Sequence, residues 1–437
     1  MRVPFTKTTL PNGLDVVVHE DRRVPLVAVS VWYHVGSKNE RPGLTGLAHL
    51  FEHLMFEGSE HQPGGYFPPL QEAGASLNGS TTTDRTNYWE LVPSNAYRLA
   101  LWMEADRMGW LLPALSQARF ETQLGVVLNE RRQSYENRPY GLSQFVLMEH
   151  LFPADHPYSW PTIGHPADLK AATLDDVTSF FRTYYHPGNA SLVIAGDIDT
   201  DLAIRTAVEL FGDIPSGLPV PAVVPPSEEM PTQRLWFEDR VELPRLYLSW
   251  RSPALFSAGD AELDLFGDLL GNGRTSRLYK RLIHDRRIAV ELAAGQTSRE
   301  IGGTFQIVAS AAPGHSLDEL EAAIYEELER FIAHGPTSSE LERGRAQAEA
   351  AFVFRVQSLG GFGGKADQLN AYNVYRGEPD SFDVDRARYM HASADDLRDS
   401  AATWLDRRAG VTLGVVPFGR SDWAPRECAL VPDGGRR

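Results

Sequence analysis

Two histidines and a glutamate, His49, Glu52 and His53, stand inside the apolar run GLAHLFEHLMFEG. Polar side chains among Leu, Phe and Met cost free energy unless a partner satisfies them. The run reads as a helix, on which residues four apart share a face with Cβ atoms about 5–6 Å apart. His49 and His53 can therefore reach one cation together, and Glu52 projects to the same side. The pattern is H-x-x-E-H, the reverse of H-E-x-x-H. Two neutral imidazoles suit Zn2+, and a carboxylate that is not itself a ligand can take a proton from a water on the ion. A pair of satisfied core histidines beside a capping glutamate is the plainer alternative. The apolar helical setting favours the metal.

A catalytic zinc takes three protein ligands and keeps one position open. No third histidine is well placed. His61 falls in a polar loop, while His156, His165 and His186 each adjoin a proline or glycine turn. The helix ETQLGVVLNERRQSYENR offers Glu130, which follows the apolar Val126, Val127 and Leu128. On the residues alone, a solvated or arginine-paired carboxylate is the more ordinary reading of Glu130.

The elements that must position these groups recur along the chain. Its 437 residues suggest two to three domains. A middle stretch, DIPSGLPVPAVVPPSEEMPTQ, holds six prolines, which lack backbone donors and resist helix and central strand alike. It divides the chain into 1–213, a linker 214–232, and 233–437. Each part opens with what reads as a strand pair, LDVVVHE with VPLVAVSVWYHV and RLWFED with RLYLSWRSP. Each continues with a helix, a second strand pair and long helices, and closes on a short apolar strand, ASLVIAGDID or GVTLGVVPFG. This predicts an α+β fold of two homologous domains, each a mixed, mostly antiparallel sheet packed against helices. The second part has no H-x-x-E-H at the matching place, so the metal site is expected in the first alone. SLGGFGGKADQ, residues 358–368, suits a flexible connection; Lys365 lacks the following Ser or Thr of a phosphate loop.

Composition excludes several other functions. An apolar share of 42% and a charged share of 23% describe a globular chain. A net charge of −16 argues against nucleic acid and anionic membranes as partners. No run reaches the ~18 apolar residues that would span a bilayer. The lone Cys428 excludes an intrachain disulfide and a cysteine zinc cluster. MRVPFTKTTLPNGL carries no apolar leader, so the expected compartment is the cytoplasm as written, or the periplasm if a leader has been removed.

TLPNGLDVVV, GLAHLFEHLMFEGS, ASLNGSTTTDRTNYWE, HPYSWPTIGHPADL, FFRTYYHPGNASLVIAGDID and GNGRTSRLYKRL span nearly the whole chain. Through them it resembles the inverted zincins, the family of pitrilysin, insulin-degrading enzyme and the mitochondrial processing peptidase. In that family the third ligand is a glutamate roughly 75 to 80 residues beyond the second histidine. Glu130 stands at that distance from His53. The resemblance implies Zn2+ held by His49, His53 and Glu130, with Glu52 as general base in a peptidase that clips unstructured peptides. It also implies that Asn78 and Gly79 lie beside the scissile bond on an edge strand to which an extended peptide adds. Relatives often carry alanine at the place of Gly79, and a turn-forming Asn-Gly is the competing reading.

One departure shapes the expected assembly. Single-chain members carry an arginine and a tyrosine after the SRLY landmark, which support the tetrahedral intermediate. Aligned on Ser276, Arg277, Leu278 and Tyr279, those places hold Ile283 and Val290, which donate no hydrogen bonds. Arg281, Arg286 and Arg287 are substitutes only if the helix shifts. The resemblance thus points to the zinc-bearing subunit of a heterodimer, whose homologous partner supplies the Arg/Tyr pair and closes a chamber. A weakly active scaffold subunit and a maturase for one precursor peptide are the rivals.

Overall fold

The structure, a computed structural model, describes residues 2–228 and 230–435. The chain forms two compact units. One comprises Met1–Asn129, Trp160–Val224 and Ala351–Val384; the other comprises Glu130–Ser159, Pro225–Ala350 and Asp385–Arg437.

The first unit is built on six strands: β1 (Thr6–Thr9), β2 (Asp15–Glu20), β3 (Leu26–Tyr33), β4 (Ser76–Thr81), β5 (Thr86–Pro93) and β6 (Ala190–Gly196). Their order is β1-β2-β6-β3-β5-β4. The second unit is built on β7 (Gln233–Asp239), β8 (Arg245–Ser252), β9 (Ala289–Thr297), β10 (Gly303–Ala311), β11 (Val411–Pro417) and β12 (Ala429–Leu430). Its order is β12-β7-β11-β8-β10-β9. Matching β2 through β6 with β7 through β11 gives one topology twice. Only the outer edge differs, since β1 joins β2 antiparallel while β12 joins β7 parallel. The fold is α+β with two mixed sheets, as the sequence led us to expect.

The opening strands of each part do not pair with each other. β6 inserts between β2 and β3, with Ile194 opposite Val18 on one side and Val29 on the other. Likewise β11 lies between β7 and β8. The reason is burial. ASLVIAG is buried at all seven positions, and a strand apolar on both faces belongs at the centre of a sheet.

Strand alternation sends neighbouring side chains to opposite faces. On the first sheet, Tyr33 and Tyr88 face the helix Leu47–Leu54, whose Phe51 stacks on Tyr185 with ring centroids 4.7 Å apart. Ser30, Trp32 and Asn87 face the other way and meet the helix Lys365–Arg376. That contact is polar and specific. Asp367 accepts from Trp32 Nε1 at 2.8 Å, Asn87 Nδ2 at 2.9 Å and Gly363 N at 2.7 Å. Asn370 Nδ2 donates to Ser30 O, and Lys365 Nζ meets Asp21 Oδ2 at 2.6 Å. The expected flexible connection at 358–368 is therefore a pinned turn. Gly361 and Gly363 supply its positive φ angles of 84° and 73°.

In the second unit, the helix Ser143–Leu151 covers one face of the sheet. Val146, Leu147 and Leu151 pack there with Tyr247, Leu413 and Val415. The opposite face buries Leu246, Leu248 and Trp250 against Leu263, Phe266, Leu320 and Leu397 of three further helices. Each unit thus takes one covering helix from the other half of the sequence.

Candidate metal centre

The helix Leu47–Leu54 is short, so its stability comes from its ends and its buried face rather than from propensity. Leu47, Ala48, Leu50, Phe51 and Leu54 are buried, which leaves His49, Glu52 and His53 on the remaining, half-buried face. Its first turn is capped from a distance. Glu40 accepts from Gly46 N at 2.9 Å and from Ala48 N at 2.8 Å. Asp168 accepts from Thr45 N and Thr45 Oγ1. Burial pushes the Glu40 carboxyl up to about 8, against the pull of its two backbone donors. The chain enters the helix through Gly46 at φ 92°, packed on Gly164 at φ 79°. A Cβ on Gly164 would lie 2.5 Å from Gly46 Cα, so this approach admits only glycine.

Glu130 belongs to the last turn of the helix Gln117–Arg131. That helix is tied to the segment following the histidines. Gln123 Nε2 donates to Glu57 Oε1 at 2.6 Å, and Arg119 Nη2 donates to Pro63 O at 3.0 Å. As a result, one donor atom from each of His49, His53 and Glu130 lies within 4.8 Å of the others. The two imidazoles meet edge to face with centroids 4.9 Å apart. The other histidines weighed from the sequence do not join this group. His61 Nδ1 bonds Asp106 Oδ1 at 2.6 Å, and His156 Nδ1 accepts from Tyr158 N at 3.0 Å. Burial pushes His156 down to about 4.

Glu52 is held from the edge strand. Thr81 Oγ1, at the end of β4, donates to Glu52 Oε2 at 2.7 Å. On the same strand Gly79 N donates to Asn78 Oδ1 at 2.8 Å. Asn78 is exposed, whereas Gly79 is buried against an aromatic wall. A Cβ on Gly79 would approach Tyr88 Cδ1 to 2.9 Å and Phe56 Cζ to 3.0 Å, so glycine here lets those rings close on the strand. The wall is stiffened by the buried Arg107, which lies 3.9 Å from both the Tyr66 and Tyr88 ring centres. Burial raises Glu90, beside Arg107 and Glu104, well above the usual carboxylate range.

In the second unit, Ile283 packs against the core and Val290 is half exposed on β9. Two of the three nearby arginines are engaged. Arg281 pairs with Glu326 and Glu327, and Arg286 pairs with Glu319 and Glu326.

Several of these groups escape a reading of the sequence. Glu40, Thr81, Asp168 and Gly164 stand at no recognisable spacing from the histidines, and NGSTTT presents Thr81 as one hydroxyl among several. Gly164 and Asp168 share the landmark PTIGHPADL, and Thr81 lies in ASLNGSTTTDRTNYWE, but neither landmark marks them as partners of the histidine helix.

A duplicated six-stranded α+β fold, with a histidine-bearing helix beside one sheet, defines the class of inverted-zincin metallopeptidases. Two family descriptions match the chain: Insulinase (Peptidase family M16) over residues 15–153, and Peptidase M16 inactive domain over residues 171–348. The chain belongs to peptidase family M16. It is 28% identical over 356 residues to the zinc protease PqqE of Helicobacter pylori, covering 80% of each chain. An uncharacterized zinc protease of Streptomyces coelicolor is 25% identical, over 93% of this chain and 88% of its own. Among solved structures, a protease from Helicobacter pylori superposes with a TM-score of 0.85 at 25% identity, over 95% of this chain and 100% of that one. A peptidase M16 inactive domain from Pseudomonas fluorescens shares the fold, with a TM-score of 0.83 at 19% identity over 95% and 98%. Among the described residues, no helix is long and apolar enough to cross a membrane.

Proposed function

We propose that the chain is a zinc-dependent endopeptidase subunit that hydrolyses unstructured peptides. The observation that carries this reading is the convergence of His49, His53 and Glu130 beside Glu52. The donor set fits zinc: two imidazole nitrogens and one carboxylate oxygen, half-buried, with a fourth position left for chemistry. His49, His53 and Glu130, with one ligand atom each within 4.8 Å of the others, would hold the ion. Bound there, zinc supplies Lewis acidity toward a water and a peptide carbonyl.

The chain's own residues do the rest. Glu52, fixed by Thr81, accepts a proton from the attacking water and returns it to the leaving amine. Asn78 and Gly79 lie on the free edge of the first sheet, where a peptide can add as a further strand. The Asn78 side chain covers Gly79 N–H, so it turns aside when a substrate takes that donor. The catalytic part is residues 1–213, the linker 214–232 and the homologous part 233–437, with the helices Ser143–Leu151 and Lys365–Arg376 exchanged between the two units. Among the described residues the ligand cluster falls in the first part alone.

The engaged arginines 281 and 286, with Ile283 and Val290, support a requirement for a homologous partner that brings an Arg/Tyr pair. Loss of one such transition-state donor costs roughly 10²- to 10³-fold in other hydrolases. Glu52→Gln is the test of the site: it should retain one zinc per chain and lose peptide turnover. Cleavage by zinc-loaded Glu52→Gln would remove Glu52 from its role. Brisk hydrolysis by the purified wild-type chain alone would remove the partner.

A further inference from the structure

We infer that Thr81 is a positioning residue for Glu52, coupling the edge strand to the direction in which the carboxylate is presented. The inference rests on the role proposed for Glu52, and its geometry stands apart from that role. Thr81 closes β4 and pairs with Thr86 across the ladder. Its hydroxyl donates to Glu52 Oε2 at 2.7 Å. A glutamate side chain has three rotatable bonds, and a half-buried carboxylate without a fixed donor explores several orientations. The bond from Thr81 to Oε2 narrows that range of orientations from the side of the edge strand.

The Thr81 hydroxyl gives its one proton to Glu52, and its lone pairs face Thr86 Oγ1, 3.4 Å away. Thr86 Oγ1 donates to Val35 O at 2.9 Å, and Tyr185 OH approaches Thr86 Oγ1 at 3.5 Å from behind. Thr86 is fully buried and held by that carbonyl, so the floor under Thr81 is rigid. Gly79 lies two residues from Thr81 and therefore on the same face of β4. The strand that a substrate would extend is thus the strand whose end orients the base. A peptide that pairs along β4 would act on the strand that carries Thr81, and through it on Glu52.

The test compares Thr81→Val, which keeps the branched shape and loses the donor, with Thr81→Ser, which keeps the donor and loses a methyl. Thr81→Val should lose roughly ten- to hundredfold in kcat with KM within about twofold, since it misorients the base without removing a substrate contact. Thr81→Ser should recover most of that loss. Both should retain wild-type zinc content and thermal midpoint. Independently of activity, crystals of Thr81→Val should show the Glu52 carboxyl displaced or in more than one orientation, and crystals of Thr81→Ser should show it as in wild type. Equal impairment of the two variants, or an unmoved Glu52 in Thr81→Val, would overturn the inference. If Glu52→Gln proves active, the peptidase role of Glu52 fails, while the crystallographic comparison still judges the positioning.

Discussion

Replacing Asp367 by alanine should unfasten the helix Lys365–Arg376 from the first sheet. The Asp367 side chain is buried and accepts three hydrogen bonds, from Trp32 Nε1, Asn87 Nδ2 and Gly363 N, at 2.7 to 2.9 Å. Alanine removes both acceptor oxygens and strands all three donors. Each buried donor left without a partner costs roughly 1–3 kcal/mol. Water entering the space recovers part of that, so a net loss of about 3–5 kcal/mol is expected. Such a loss is a large share of the ~5–15 kcal/mol that holds a typical domain folded. Asp367→Asn separates the contributions. Its amide oxygen can still serve Trp32 and Asn87, while its NH2 then faces the Gly363 N–H, and roughly 1–3 kcal/mol should be lost.

Local hydrogen exchange reports on this helix directly and is the assay of choice. Peptides spanning 365–376 and β3 should lose protection in Asp367→Ala, and less in Asp367→Asn. Wild-type protection in both peptides of Asp367→Ala would refute the claim that this carboxylate anchors the helix.

The approach of Gly46 and Gly164 predicts that Gly164→Ala lowers the thermal midpoint. Its Cβ would sit 2.5 Å from Gly46 Cα at a backbone φ of 79°, at a cost of roughly 2–4 kcal/mol. A wild-type midpoint and zinc content for Gly164→Ala would contradict the role given to this glycine pair. Glu130→Ala should bind zinc far more weakly than wild type by calorimetric titration; unchanged affinity would strike Glu130 from the ligand set. In the second unit, burial pushes Asp264 up to about 7, with Asp260 and Asp268 adding to the shift against a 2.7 Å bond from Tyr389 OH. The folded state then holds a proton that the unfolded chain releases near pH 4, so this group's contribution to stability falls as pH rises from about 4 to 7. Urea midpoints measured across that window should decline less steeply for Asp264→Asn, and an identical slope would show that Asp264 is not the group responsible.

The sequence by itself determined the local elements and the chemistry that rides on them. GLAHLFEHLMFEG encodes a helix with two imidazoles on one face because i and i+4 coincide in any α-helix, whatever surrounds it. The repeated succession of strands and helices is equally local, and it forecast two sheets of one design. Pairing is a different matter. LDVVVHE and VPLVAVSVWYHV follow each other closely, yet β6 parts them, because burial on both faces is decided by what the completed sheet leaves at its centre. The exchange of covering helices is likewise tertiary. Asp367 is one acid among many in the sequence, and only the folded first unit sets it under Trp32 and Asn87, more than 250 residues away along the chain. So too for Thr81 and Glu40. A short-range pattern can place ligands on a helix, whereas the groups that cap that helix and aim its carboxylate come from segments with no fixed spacing to it, and only packing brings them there.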